Sequence, residues 1–283
     1  MFPIKFTQHF IIIHLTNINL VISGSSPSIC PAYSSASVSF HFTLKRSVEK
    51  PLTSISSTLL FFRKSDSDNI PLNFVDDLDI ASDGKIYFSD ASSKYGYGSD
   101  RLELFEHTPN GRLLVFDPIT QKTTTLLSGL YFANGVALSS DESFVLVNET
   151  LMYRIQKYWL KGDKAGTSEI FIENLPGFPD NVSSNEEGIF WVALFNPRNN
   201  FVEMSSNKPF LRKIVFRLPE LLQPKPINHS FVLGLNEDGK VVHNLQYQAN
   251  EAYSPITSVK QYNDTLYFGS LTHPGWGKIE VPK

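Results

Sequence analysis

Residues 178–194 read FPDNVSSNEEGIFWVAL, with an acid and an amide, Asp180 and Asn181, on the shoulder of an apolar run. IFWVA reads as a buried strand. Asp and Asn favour turns, so the pair is either a turn signal or a place where something is bound. The same grammar recurs: FVDDLDIASDGKIYFSD covers 74–90, FANGVALSSDESFVLVNE covers 132–149, and ITSVKQYNDTLYFGSL covers 256–271. Each copy has polar residues, a short strand, a turn of Asp, Asn, Ser, Glu or Gly, and an aromatic-rich strand. That is the pattern of a β-hairpin. The step from Phe132 to Phe178 falls within the roughly 40–50 residues of a four-stranded propeller blade, and the other steps require insertions.

Between these hairpins, GRLLVFDPITQKTTTLL (Gly111 to Leu127) and RIQKYWLKGDKAGTSEIFI (Arg154 to Ile172) read as outer hairpins. Their turns open at Asp117-Pro118 and Lys161-Gly162-Asp163. An inner and an outer hairpin together make one blade. The stretch from Asn196 to His229 holds five prolines and reads as a long insertion, with a short helix expected within Phe210 to Leu222. Long loops on a rigid scaffold often cover a site. No long helix is expected elsewhere, and Asn110-Gly111 reads as turn chemistry.

The 283 residues are 41% hydrophobic and 19% charged, the balance of a globular protein,. The 22 Phe and 11 Tyr, with 17 Pro and 16 Gly, suit many short strands joined by turns,. A net charge of −3 gives no electrostatic support to a nucleic-acid partner,. The single cysteine, Cys30, excludes an internal disulfide,. Sequons begin at Asn148, Asn181, Asn228 and Asn263. Residues 1–50 form an atypical, Ser-rich leader ahead of a propeller at 51–283. Within it, Phe10 to Ile22 resembles the apolar part of a signal peptide or anchor, interrupted by His14, Asn17 and Asn19,. It is short for a membrane span. The expected location is therefore the secretory pathway or a membrane surface. No G-x-S-x-G, zinc spacing or Gly-rich phosphate loop is present.

DGKIYFSDASSKY, FANGVALSSDESFVLVNET and LPGFPDNVSSNEEGIFWVAL resemble the strictosidine synthase-like family. The likeness runs from about Leu72 through the closing TSVKQYNDTLYFGSL. It implies an all-β fold, the six-bladed β-propeller, related to paraoxonases and other calcium-dependent lactonases. Four inner hairpins are legible here and residues 1–50 do not match the family. The chain is therefore expected to be N-terminally truncated, with about four to five blades and exposed sheet edges.

The resemblance also implies a site. Inner strands line a propeller's channel, and in relatives the places of Asp76, Asn134, Asp180 and Asn181 hold calcium through side-chain oxygens. Calcium takes roughly 6–8 oxygen ligands, which Asp and Asn supply on short side chains. The plain alternative is that these residues only form turns. Relatives usually carry Asn at the place of Asp76, so this site holds more negative charge, and a Glu ligand of the family's first blade lies upstream of the matching region. Asp77 is expected at the channel mouth or as an acceptor behind a ligand. The Asn181 sequon is expected to be unused. A calcium site supports hydrolysis of a small-molecule ester or lactone, given a side-chain base. No counterpart of the paraoxonase histidine pair is legible. Of His107, His229, His243 and His273, the last follows an inner strand and is the catalytic candidate, against a surface or packing role. The family's synthase uses a Glu where this chain has Thr257, so strictosidine synthase activity proper is not expected. The alternative function is a non-catalytic membrane-associated or secreted propeller that binds a partner.

Overall fold

The computed structural model describes residues 69–96, 99–198 and 227–282, the backbone of 10–15 and 18–23, and single positions 208, 210, 214 and 217. The chain divides into two compact units, Met1–Arg63 and Lys64–Lys283. The expected boundary at residue 50 and Cys30 lie outside the described residues. In the first unit, β1 (Phe10–Leu15) and β2 (Ile18–Ser23) pair antiparallel, with Phe10 opposite Ser23. No helix among the described residues is long and apolar enough to cross a membrane.

The second unit is all-β, in a propeller arrangement of four described blades. The first runs β3 (Val75–Ile80), β4 (Ile86–Asp90), β5 (Gly111–Asp117), β6 (Lys122–Leu130). The second runs β7 (Ala133–Leu138), β8 (Phe144–Glu149), β9 (Arg154–Trp159), β10 (Ser168–Ile172). The third runs β11 (Gly177–Ser184), β12 (Ile189–Pro197), β13 (His229–Asn236), β14 (Val241–Gln248). The fourth has three described strands, β15 (Ser258–Tyr262), β16 (Thr265–Gly269) and β17 (Gly277–Glu280). All neighbours pair antiparallel, so inner and outer hairpins form each blade as the sequence pattern implies. The proline-rich insertion lies inside the third blade, between β12 and β13. Positions 210, 214 and 217 there are helical, and the rest of the expected helix lies outside the described residues.

The core lies between blades. Alternate residues of a strand face opposite sides. Phe190 packs with Phe144 and Leu146 of blade two, while the next residue, Trp191, packs with Val259 and Leu266 of blade four. Both faces of β12 are covered, which is why IFWVA is apolar without alternation. Tyr87 and Leu113 meet Val136 and Val145 in the same way between blades one and two.

The turn at Asp117 forms as expected, its Oδ1 accepting from the amides of Ile119 (2.8 Å) and Thr120 (3.2 Å). Asn110-Gly111 is a correction. Gly111 opens β5 where a Cβ would lie 2.8 Å from Ala133 N, and the Asn110 amide donates to Glu103 and Thr108. The pair marks a close approach of two blades more than a free turn. The short helix α1 (Asp100–Glu106) has no periodic signature in the sequence. Tertiary contacts hold it: buried Glu103 accepts from Ser92 Oγ at 2.6 Å and from Asn110 Nδ2,.

An innermost strand leaves a backbone edge unpaired, and the preceding blade's side chains satisfy it. The amides of Val136 and Leu138 donate to Asp77 (2.9 Å) and Asp79 (2.8 Å). Asn181 Nδ2 and Ser183 Oγ donate to the carbonyls of Thr257 (2.9 Å) and Val259 (2.7 Å). Ser183→Ala is expected to lower stability by about 1 kcal/mol, through loss of one such bond. It should appear in urea unfolding as a lower midpoint at unchanged slope.

Candidate metal centre

Three of the four described inner hairpins break register at the same step. The ladder shifts between Val75 and Leu78 in β3, between Ala133 and Val136 in β7, and between Pro179 and Val182 in β11. The residues inside those shifts are Asp76-Asp77, Asn134-Gly135 and Asp180-Asn181. A bulge sets two residues against one and re-aims their side chains. The polar pairs are therefore the bulges themselves, repeated in three blades.

The first residues of the pairs come together. The Asn134 side chain lies beside the Asp180 carboxylate and favours its charged form, while the charges of Asp76 and Asp77 oppose it. Asp76 and Asp180 keep partial solvent access while surrounded by protein, as on a channel wall, and Asn134 is buried. Burial pushes the Asp76 carboxyl up to about 7. It pushes Asp77 up to about 8, with the Asp76 charge adding to the rise and the Val136 amide opposing it. Asp180 is raised well above the usual carboxylate range, by burial first and then by Asp76. No Lys or Arg among the described residues offsets these three. Desolvated carboxylates without a counter-charge are costly, and a bound cation reverses that balance. The Asn134 Oδ1 is also buried and unpartnered.

The second residues of the pairs serve the blade contacts. Asp77 accepts from Val136. Gly135 lies against the β11 backbone, where a Cβ would come within 2.6 Å of Asn181 Cα. Asn181 gives both its main-chain amide (3.1 Å) and its Nδ2 (2.9 Å) to the carbonyl of Thr257. So Asp76, Asn134 and Asp180 are brought together, while the Asn181 side-chain nitrogen is turned to the next blade. Thr257 stands where the fourth blade would place its own first residue. Its hydroxyl donates to the Gly269 carbonyl at 3.4 Å, and it brings no carboxylate.

No three His, Cys, Asp or Glu among the described residues are arranged to hold a metal. The donors present are two carboxylates and amide oxygens, an all-oxygen set that suits a hard cation better than zinc. The histidines lie elsewhere. His273 is exposed, its ring 4.6 Å from that of Tyr253. His243 stacks on Trp191 and His229 on Phe231. His107 caps α1 with its ring 5.0 Å from Tyr131.

Asn148 was legible only as a sequon. It is fully buried, and its Nδ2 donates to the Asp180 main-chain oxygen at 2.5 Å. Thr150 Oγ1 likewise donates to the Pro179 oxygen at 2.7 Å, so the end of β8 holds the β11 bulge. The signal available was position: Asn148 lies at the end of the aromatic strand of the hairpin that carries Asn134, and Thr150 follows it. The fold closes the sequons at Asn148 and Asn181 and leaves those at Asn228 and Asn263 exposed.

The family model for strictosidine synthase matches residues 76–163. The Arabidopsis thaliana protein named strictosidine synthase-like 3 is 37% identical over 213 residues, covering 73% of this chain and 54% of the relative. Adipocyte plasma membrane-associated protein from Bos taurus is 37% identical over 210 residues, covering 72% of this chain and 51% of the relative. The chain thus spans about half the length of the curated relatives it matches. Among solved structures, a gluconolactonase from Xanthomonas campestris aligns with TM-score 0.51 at 14% identity, over 88% of this chain and 65% of the other. A putative gluconolactonase aligns with TM-score 0.53 at 16% identity, over 92% and 70%. At such identities the structural likeness speaks for the fold. Motifs, family model and full-length relatives agree: the chain belongs to the strictosidine synthase-like family.

Proposed function

We propose that the chain binds calcium at the bulges of its inner strands and uses that site to hydrolyse a small-molecule ester or lactone. One observation carries the reading. Two desolvated carboxylates, Asp76 and Asp180, come together without a basic partner, with buried Asp77 beside them and the unfilled Oδ1 of Asn134. Asp76, Asn134 and Asp180 would hold the ion, with Asn181 at the rim. When bound, calcium supplies Lewis-acid polarisation of a substrate oxygen. The chain's own part is to hold the donors still: the bulges of Asp76 and Asp180 are hydrogen-bonded to the next blade, and that of Asn134 packs its Gly135 against β11. The structural neighbours named gluconolactonase make a cyclic ester a natural first substrate to try. The word membrane in the name of the bovine relative supports a membrane-associated or secretory location for this chain.

The base is the open role. Gly269 pairs with Ser258 at the start of β15, so the loop that follows, with His273, leaves at the same end as the bulges. His273 is therefore the residue to test. No histidine contact described here reaches the carboxylates, and this favours a second reading, a calcium-binding propeller that recognises a partner without catalysis. Thr257 offers no carboxylate, so amine–aldehyde condensation is not part of either reading.

The test is hydrolysis of phenyl acetate and a simple lactone by the full chain, with calcium and with a chelator. Turnover that needs calcium and falls at least tenfold in Asn134→Ala is the expected result. Calcium at a hundred times its dissociation constant should also stabilise the fold by about 2.7 kcal/mol. That stabilisation without turnover would support the binding module. Neither effect would end the calcium reading.

A further inference from the structure

Asn148 lies on β8, the second strand of its blade, and is 0% exposed. The ladder sets Ala133 opposite Glu149 and Val136 opposite Val147, so Asn148 stands across from the bulged pair Asn134-Gly135. Leu146, on the same face of β8, packs into the core shared with β11 and β12,. Asn148 thus faces the third blade, and its Nδ2 donates to the Asp180 main-chain oxygen.

That bond decides which way round the amide sits. Turned over, its oxygen would confront the Asp180 oxygen, two acceptors with no proton between them. Oδ1 is then left over, buried and unpartnered. An unfilled acceptor in such a place destabilises the fold unless something satisfies it. The same is true of Asn134 Oδ1, in the facing bulge. Two asparagines therefore flank Asp180, Asn148 bonded to its carbonyl and Asn134 beside its carboxylate, and each leaves an oxygen unfilled. Amide oxygens are good ligands for hard ions, so a cation placed between them would satisfy both.

We propose that Asn148 is a further member of the cation site, its Nδ2 pinning the Asp180 carbonyl and its Oδ1 donating to the ion. This rests on the calcium reading above. The experiment is calcium calorimetry on the full chain, with the calcium-induced shift in melting temperature as a second readout. Asn148→Ala is expected to bind about tenfold more weakly. Asn148→Asp keeps an oxygen for the ion and adds charge but loses the Nδ2 bond to the Asp180 carbonyl, so it is expected to bind between wild type and Asn148→Ala. Unchanged binding by Asn148→Ala would overturn the inference. So would an Asn148→Asp variant that falls as far as the alanine, because the role would then belong to the Nδ2 bond alone. Should Asn148→Ala fail to fold, the near-isosteric Asn148→Leu takes its place. A wild-type chain that gives no heat with calcium overturns the calcium reading and this inference together. Wild-type binding with an indifferent Asn148→Ala overturns this inference only.

Discussion

Gly135→Val is expected to be the most destabilising single change near the site. A Cβ on Gly135 would sit 2.6 Å from Asn181 Cα and 2.7 Å from its carbonyl carbon, and still closer to the Val182 nitrogen. All three are main-chain atoms of the β11 bulge, so no side chain can swing aside. The blades must part, which opens the interface where Phe144 and Leu146 meet Phe190 and Val192. Overpacking in an interior typically costs 1–3 kcal/mol, and a clash with backbone falls at or above the top of that range, about 3 kcal/mol. For a unit of this size that is a melting temperature lower by roughly 6–12 °C. Calcium stabilisation should fall in the same variant, because Asn134 and Asp180 are displaced with the strands that carry them. Thermal unfolding with and without calcium checks both. A melt unchanged within about one degree would mean that β7 and β11 do not touch as described.

The glycine also shows where sequence reasoning reached and where it stopped. The repeating hairpins were legible because both signals are local: turn residues every few positions and apolar runs between them. The burial of IFWVA was legible for the same reason. The roles within each polar pair were not. Strict alternation would send Asp180 and Asn181 to opposite faces, but the register shift re-aims them, and a shift is a property of two strands together. Hence Asn181 was expected simply as a ligand, while its nitrogen bonds Thr257 in the next blade. Gly135, which carried no signal of its own in the sequence, is a spacer between blades. Asn148 looked like a glycosylation acceptor, since nothing in Asn-Glu-Thr tells that its neighbour in space is Asp180. Helix α1 went unread because seven residues carry too little periodicity, and the buried contacts of Glu103 that hold it are not in the local sequence.

Asp180→Ala is expected to remove calcium binding almost completely. The carboxylate is desolvated and pressed by the charges of Asp76 and Asp77, which the neighbouring Asn134 offsets only in part and a cation would relieve. Truncating one partner of a buried charge pair costs about 2–5 kcal/mol, here roughly 30-fold to several-thousand-fold in affinity. The second half of the expectation has the opposite sign. In the calcium-free chain, Asp180→Asn deletes a repelled charge and keeps an oxygen beside Asn134, so this variant is expected to melt at or above wild type. A carboxylate kept only for structure would behave otherwise: its loss would lower the melt equally with calcium or chelator. The two readings therefore differ in sign, not only in size. Calorimetry on Asp180→Ala and melts of Asp180→Asn in chelator separate them. An asparagine variant that melts lower in chelator and retains the full calcium shift would assign Asp180 to the scaffold. The opposite outcome would mean that the fold gives up stability at this bulge, recovered when the ion binds, as sites built for ligands commonly do.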